Sequence, residues 1–147
     1  MNDMSRDTRF SITSSFENVS NLAEEVSLLC SSRLEIDEDT ADMVRLCIAE
    51  ALNNIVEHAY DGVEGKPIFA DVQFAPASLE VLLIDEGKPM PEGTAPDGSA
   101  AEFDLDDIDN LPEGGFGWML IRSQMDVVEY ERREGCNVLR LAKELAA

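Results

Sequence analysis

The chain has 147 residues, 44% of them hydrophobic, which is the length of one ordinary domain with enough apolar matter for a core and excludes wholesale disorder. Its 31 acidic residues against 11 basic ones give a net charge of −20, which repels phosphate backbones and anionic membranes and leaves no expectation of nucleic-acid or membrane partners. No apolar run approaches the roughly 20 residues of a membrane span, and the polar start MNDMSRDTRF lacks a signal peptide's apolar middle, so the expected location is the cytoplasm.

Residues 9–13 alternate, with Phe10 and Ile12 on one side, and predict a strand. Over 16–30, Val19, Leu22, Ala23, Val26, Leu29 and Cys30 recur at helical spacing, with Ser15 or Asn18 as a cap. Asp37 or Asp39 caps a second, longer predicted helix that runs to about Tyr60, where Asp61-Gly62 and Gly65 break the pattern. Strands follow at 67–75 and 79–84, the latter (LEVLLI) an apolar run suited to a central strand. Residues 86–113 carry neither period and several prolines and glycines, as a lid or binding loop does. A short helix is expected at about 117–125, then strands at 126–132 and 136–142 joined by a turn at Glu134-Gly135. This order predicts an α+β fold: a two-layer α/β sandwich with a mixed, mostly antiparallel sheet and helices on one face. Cys30, Cys47 and Cys136 match no paired metal-ligand spacing and read as small hydrophobes.

Three segments carry chemistry. In the long helix, IAEALNNIVEHAY, the residues Val44, Ile48, Ala51, Leu52, Ile55 and Ala59 form an apolar stripe. Glu50, Asn54 and His58 stack beside it at i, i+4, i+8, with Glu57 on the same flank. The Asn side-chain oxygen is a hard ligand for Mg²⁺, and a Glu one turn earlier is placed to orient or deprotonate a hydroxyl. A solvated helix flank gives the same spacing, and His58 alone reads as a hydrogen-bonding or packing residue. The run LEVLLI ends in Asp85-Glu86-Gly87, where an acid can accept from an exocyclic amine and a Gly lets the backbone approach a flat ring; an ordinary turn looks similar. Glu113-Gly114-Gly115-Phe116-Gly117 precedes a helix, an arrangement that presents N–H groups to phosphate, although no Gly-Lys-Ser/Thr follows. Lys88 and Arg122 are the nearby basic candidates for a phosphate contact.

In this order the pieces resemble the GHKL ATPase superfamily: EALNNIVEHAY its N box, DEGKP its first glycine box and GGFGWMLI its second. The HAY ending at His58-Ala59-Tyr60, the tail LIRSQMDVVEYERREGCNVLRL and the chain length are most similar to stand-alone anti-sigma-factor serine/threonine kinases. The resemblance implies a Bergerat-type fold over residues 1–147 as a single domain, with an ATP lid at about 88–113. It implies ATP and Mg²⁺ as cofactors and Asn54 as the metal ligand. Glu50 becomes the catalytic base. Asp85 and Gly87 hold adenine, and Gly114, Gly115 and Gly117 cradle the phosphates. His58, Phe116 and Arg122 complete the nucleotide-binding set. The implied activity is transfer of the γ-phosphate to a serine or threonine of an anti-sigma-factor antagonist, with a sigma factor as a further partner and a homodimer as the assembly. The alternative is a protein-binding regulatory module, nucleotide-controlled or nucleotide-independent, without kinase activity. The lid holds Glu92, Asp97, Glu102, Asp104, Asp106, Asp107, Asp109 and Glu113 and no base over 92–113, a surface that would suit a basic partner.

Overall fold

A computed structural model describes residues 8–96 and 115–145. Strand β1 (Thr8–Thr13) leads into helix α1 (Phe16–Arg33), which is capped by Ser15 accepting from the Asn18 N–H at 3.0 Å. Asn18 is therefore not the cap; its amide instead donates to the Thr13 carbonyl at 3.0 Å. Helix α2 (Glu38–Asn54) starts at Asp37, which accepts from the Thr40 N–H at 2.8 Å. These caps satisfy N–H groups that a helix start leaves without partners.

Val19, Leu22, Ala23, Val26 and Cys30 of α1 pack with Val44, Cys47, Ile48, Ala51 and Leu52 of α2, and the buried Ser27 hydroxyl donates to the Ala41 carbonyl at 2.8 Å. Burial pushes the Cys30 thiol up to about 12 and the Cys47 thiol up to about 11, so both stay protonated and behave as small hydrophobes. Cys136 is half-buried.

Strands β2 (Pro67–Ala75), β3 (Ser78–Asp85), β4 (Val127–Arg133) and β5 (Cys136–Glu144) join β1 in a sheet of order β1-β2-β3-β5-β4. All four described pairings are antiparallel. The period-2 pattern sends Ile68, Ala70, Val72, Leu79, Val81, Leu83, Leu139 and Leu141 into the core shared with the helices. The opposite face carries ion pairs such as Arg9–Asp71 and Arg140 with Glu80 and Glu129, which contribute little to stability at such exposure. Glu134 and Gly135, at φ 50° and 82°, close the β4–β5 hairpin as the sequence predicts.

Two elements depart from expectation. Helix α2 does not run evenly to Tyr60: Ile55–Ala59 widens into a π-helical turn. Helix α3 spans Gly115–Gln124 and so begins before Gly117. Most of the expected lid, residues 97–113, lies outside the described residues, as does Gly114.

Candidate functional site

Helix α2 is the spine of the site. Glu50 sits half-buried on its flank, and its carboxylate lies against Gly117: a Cβ placed there would come within 2.6 Å of Glu50 Oε2. One turn on, Asn54 is buried, and its Nδ2 donates to the Glu50 carbonyl at 2.9 Å. A carbonyl only accepts, so that bond fixes the amide and turns Asn54 Oδ1, a hard oxygen acceptor, the other way. Among the described residues no cluster of three His, Cys, Asp or Glu side chains forms a metal cage. A single hard oxygen suits Mg²⁺, which keeps most of its shell as water and substrate phosphate.

The flank of Glu50, Asn54 and His58 changes character after Asn54: Asn54 is buried, whereas His58 falls inside the π turn and faces solvent. Glu57 and His58 are both exposed, with His58 Nε2 3.8 Å from Glu57 Oε2. Arg122 reaches backbone: its guanidinium donates to the carbonyls of Ala95 at 3.2 Å and Pro96 at 3.1 Å, pinning the segment after β3 to α3. Lys88 Nζ is 2.7 Å from Asp61 Oδ1. Gly115, Phe116 and Gly117 form the first turn of α3, while Gly114 and the acidic positions 97–113 lie outside the described residues.

Asp85 ends β3 and is 2% exposed. Its Oδ1 accepts from the Gly87 N–H at 2.8 Å and from Asn137 Nδ2 at 2.8 Å, while Oδ2 accepts from no described group. Burial pushes the Asp85 pKa up from the ordinary carboxylate range, and the Asn137 and Gly87 bonds with the nearby Arg132 charge pull it back only in part. The turn after Asp85 is held on all sides. Tyr60 OH accepts the Glu86 N–H at 2.7 Å and donates to the Pro67 carbonyl at 2.6 Å. The Lys88 N–H donates to the Ala59 carbonyl at 2.8 Å. Gly87 faces Ala59 so closely that a Cβ would lie 2.7 Å from Ala59 Cβ.

Asn137, Tyr130 and Arg132 are not among the candidates that the sequence singles out, yet they bond to one another and to the Asp85 turn. Asn137 has a visible signal: it falls in phase with the inward-facing Leu139 and Leu141, and a polar side chain at a core position needs partners. Asn137 is also one of five buried polar residues among those described, with Ser14, Ser27, Asn54 and Asp85. Two of the five, Asn137 and Asp85, are bonded to each other, and Asn54 is buried on α2, unlike a residue of an ordinary solvated helix flank.

The profile of the histidine kinase-like ATPase domain matches residues 12–143. Over 120 residues the chain is 32% identical to the serine-protein kinase RsbW of Halalkalibacterium halodurans, covering 78% of this chain and 68% of that one. It is 30% identical over 114 residues to the RsbW of Bacillus pumilus, covering 73% and 67%. It is 31% identical over 101 residues to the serine/threonine-protein kinase BtrW of Bordetella bronchiseptica, covering 69% and 68%.

Proposed function

The chain belongs to the histidine kinase-like ATPase domain family, and we propose that it is an ATP-dependent serine/threonine protein kinase of the anti-sigma-factor type. The observation that carries this reading is the approach of the Glu50 carboxylate to the first turn of α3, with Asn54 Oδ1 one turn away. On this reading residues 1–147 act as one domain with its lid at about 88–113, the substrate is an anti-sigma-factor antagonist, and the setting is the cytoplasm. A sigma factor and a second copy of the chain are the further partners. No described helix is long and apolar enough to cross a membrane.

The residues divide the work along α2. The Asp85–Gly87 turn meets the helix at Ala59, and Gly117 meets it at Glu50, a separation of roughly 13 Å along the axis. Adenine lies at the first contact, its amino group donating to Asp85 Oδ2. The phosphates reach the second, where the N–H groups and positive dipole end of α3 face them. Asn54 Oδ1 would hold Mg²⁺, whose charge neutralises phosphate oxygens when it is bound. Glu50 accepts the proton of the serine or threonine hydroxyl as its oxygen bonds to the γ-phosphorus and the bond to the ADP oxygen breaks.

Asn54→Ala is expected to lower Mg-ATP affinity by at least about tenfold and to abolish the Mg²⁺ dependence of binding, read by calorimetry with and without the metal. An unchanged Mg²⁺ dependence removes Asn54 as the ligand.

Asp85 gives an opposed pair of pH effects. Oδ1 already takes two donors, so a proton would sit on Oδ2, the oxygen that faces the amine, and ATP affinity falls as pH drops through the raised pKa. Its contribution to stability runs the other way. The folded state holds the Asp85 proton more tightly than the unfolded chain, so burial of the charge destabilises the protein above the folded pKa, and the loss is relieved as pH falls through that pKa towards the unfolded value. Asp85→Asn is therefore expected to lose ATP affinity by at least about tenfold at neutral pH without lowering the unliganded melting temperature. A variant that binds ATP as before excludes Asp85 as the base contact.

A further inference from the structure

We propose that Asn137 is a positioning and specificity-determining residue for the nucleotide base: fixed by Tyr130 and Arg132, it holds Asp85 with one oxygen saturated and the other turned to an amino group. This rests on the reading of Asp85 as the adenine contact. Tyr130 OH and Arg132 both donate to Asn137 Oδ1, the latter at 3.0 Å. Asn137 Nδ2 donates to Asp85 Oδ1 at 2.8 Å and to the Lys88 carbonyl at 2.7 Å. Arginine has no acceptor and a carbonyl has no donor, so a flipped amide would break both contacts and only one orientation is allowed. The Tyr130 hydroxyl is directed too, because its oxygen accepts the Met90 N–H at 3.0 Å. Hydrogen-bond polarity therefore runs one way from the backbone at Met90 through Tyr130 to Asn137. Asn137 in turn presents only donors to Asp85.

The same three side chains grip the turn that carries Asp85. Arg132 donates to the Gly87 carbonyl at 2.6 Å, Asn137 to the Lys88 carbonyl, and Tyr130 receives Met90. All three come from the β4–β5 hairpin, which lies far along the chain from the Asp85 turn. Donors on Asp85 favour its ionised form, and an ionised carboxylate is a pure acceptor. It takes the amino group of adenine and repels the carbonyl oxygen that inosine carries at the same position. The charged and titratable groups around Asp85 are Arg132 and Tyr130 on β4, Cys136 beside Asn137 on β5, Tyr60 after the π turn, and Glu86 and Lys88 on its own turn, with Lys88 engaged by Asp61.

The test is calorimetric binding of Mg-ATP and Mg-inosine triphosphate to the full chain between about pH 6 and about pH 8.5. The probe variant is Asn137→Asp, equal in shape but able to donate to Asp85 only while a proton is shared between the two carboxyls. The wild type is expected to prefer ATP and to hold or gain affinity as pH rises. The variant is expected to do the reverse, losing about tenfold or more in ATP affinity as pH rises, and to show a collapsed preference over inosine triphosphate. Equal affinity, slope and preference in both proteins overturn the inference, and so does a uniform loss with the preference intact, which is what a purely structural Asn137 would give. Should Asn137→Asp not fold, Asn137→Leu carries the test: a fall in the ATP preference supports the role and an unchanged preference overturns it. A wild type that binds neither nucleotide sinks the proposed function itself, whereas a wild type that binds ATP, loses it in Asp85→Asn and is indifferent to Asn137 sinks only this inference.

Discussion

Replacing Glu50 with Gln is expected to lower phosphoryl transfer to a protein hydroxyl by about 10²–10⁴-fold, the range for loss of a general base. Nucleotide affinity should stay within a factor of about three, because the amide keeps the size of the carboxylate and removes only the proton acceptor. Size matters at this position: the carboxylate already fills the space beside Gly117, so a larger or differently branched side chain would disturb the start of α3 as well as the chemistry. Single-turnover transfer from labelled ATP to an anti-sigma-factor antagonist, with calorimetry on the same samples, separates the two effects. Retained transfer removes Glu50 as base. Loss of binding in step with transfer makes Glu50 a nucleotide contact instead. A wild type that binds ATP but transfers no phosphate to the antagonist favours a protein-binding regulatory module.

The strands were legible to within two residues because a period of 2 leaves little freedom: a shift by one residue would expose Ile68, Val72, Leu83 and Leu139. The apolar stripe of α2 was legible as far as Ile55, where the assumption of 3.6 residues per turn fails. Nothing in IVEHA announces a wider turn; the Lys88 N–H that meets the Ala59 carbonyl is a distant partner in sequence. Gly115 is a poor helix former, so the expected helix starts only at Gly117, yet Gly115 lies in the first turn of α3, and Gly117 leaves space there for Glu50. Arg122 reads from the sequence as a partner for phosphates or surface acids, but its guanidinium donates to the backbone carbonyls of Ala95, Pro96 and Val128, a class of partner that no residue pattern encodes. Asp85 is legible as a candidate from its place at a strand end. Asn137, its partner across the β3–β5 register, needed the sheet order, which the sequence left open.

The change with the largest expected structural effect is Gly87→Ala. An added Cβ would meet the carbonyl oxygen of Ala59 and lie 2.6 Å from its carbonyl carbon and 2.7 Å from its Cβ. Most of that obstacle is backbone, so either the Asp85–Lys88 turn or the π turn must move, at a cost of about 1–3 kcal/mol. The Lys88 N–H bond to the Ala59 carbonyl lies in the path of either movement, and Asp85 Oδ1 would lose its alignment with the Gly87 N–H. A melting-temperature loss of about 3–10 °C without nucleotide should therefore accompany a fall in ATP affinity of at least about tenfold. Gly117 is a different case: a Cβ there meets Glu50 Oε2, the far end of a flexible side chain, which can swing aside without moving backbone. The contrast makes Gly87 a residue of the fold and, on the proposed function, of the site too, tied by space rather than by its own dihedral freedom. Unchanged melting and binding in Gly87→Ala would mean that the turn does not pack against the end of α2, and the proposed adenine end of the site would lose its floor.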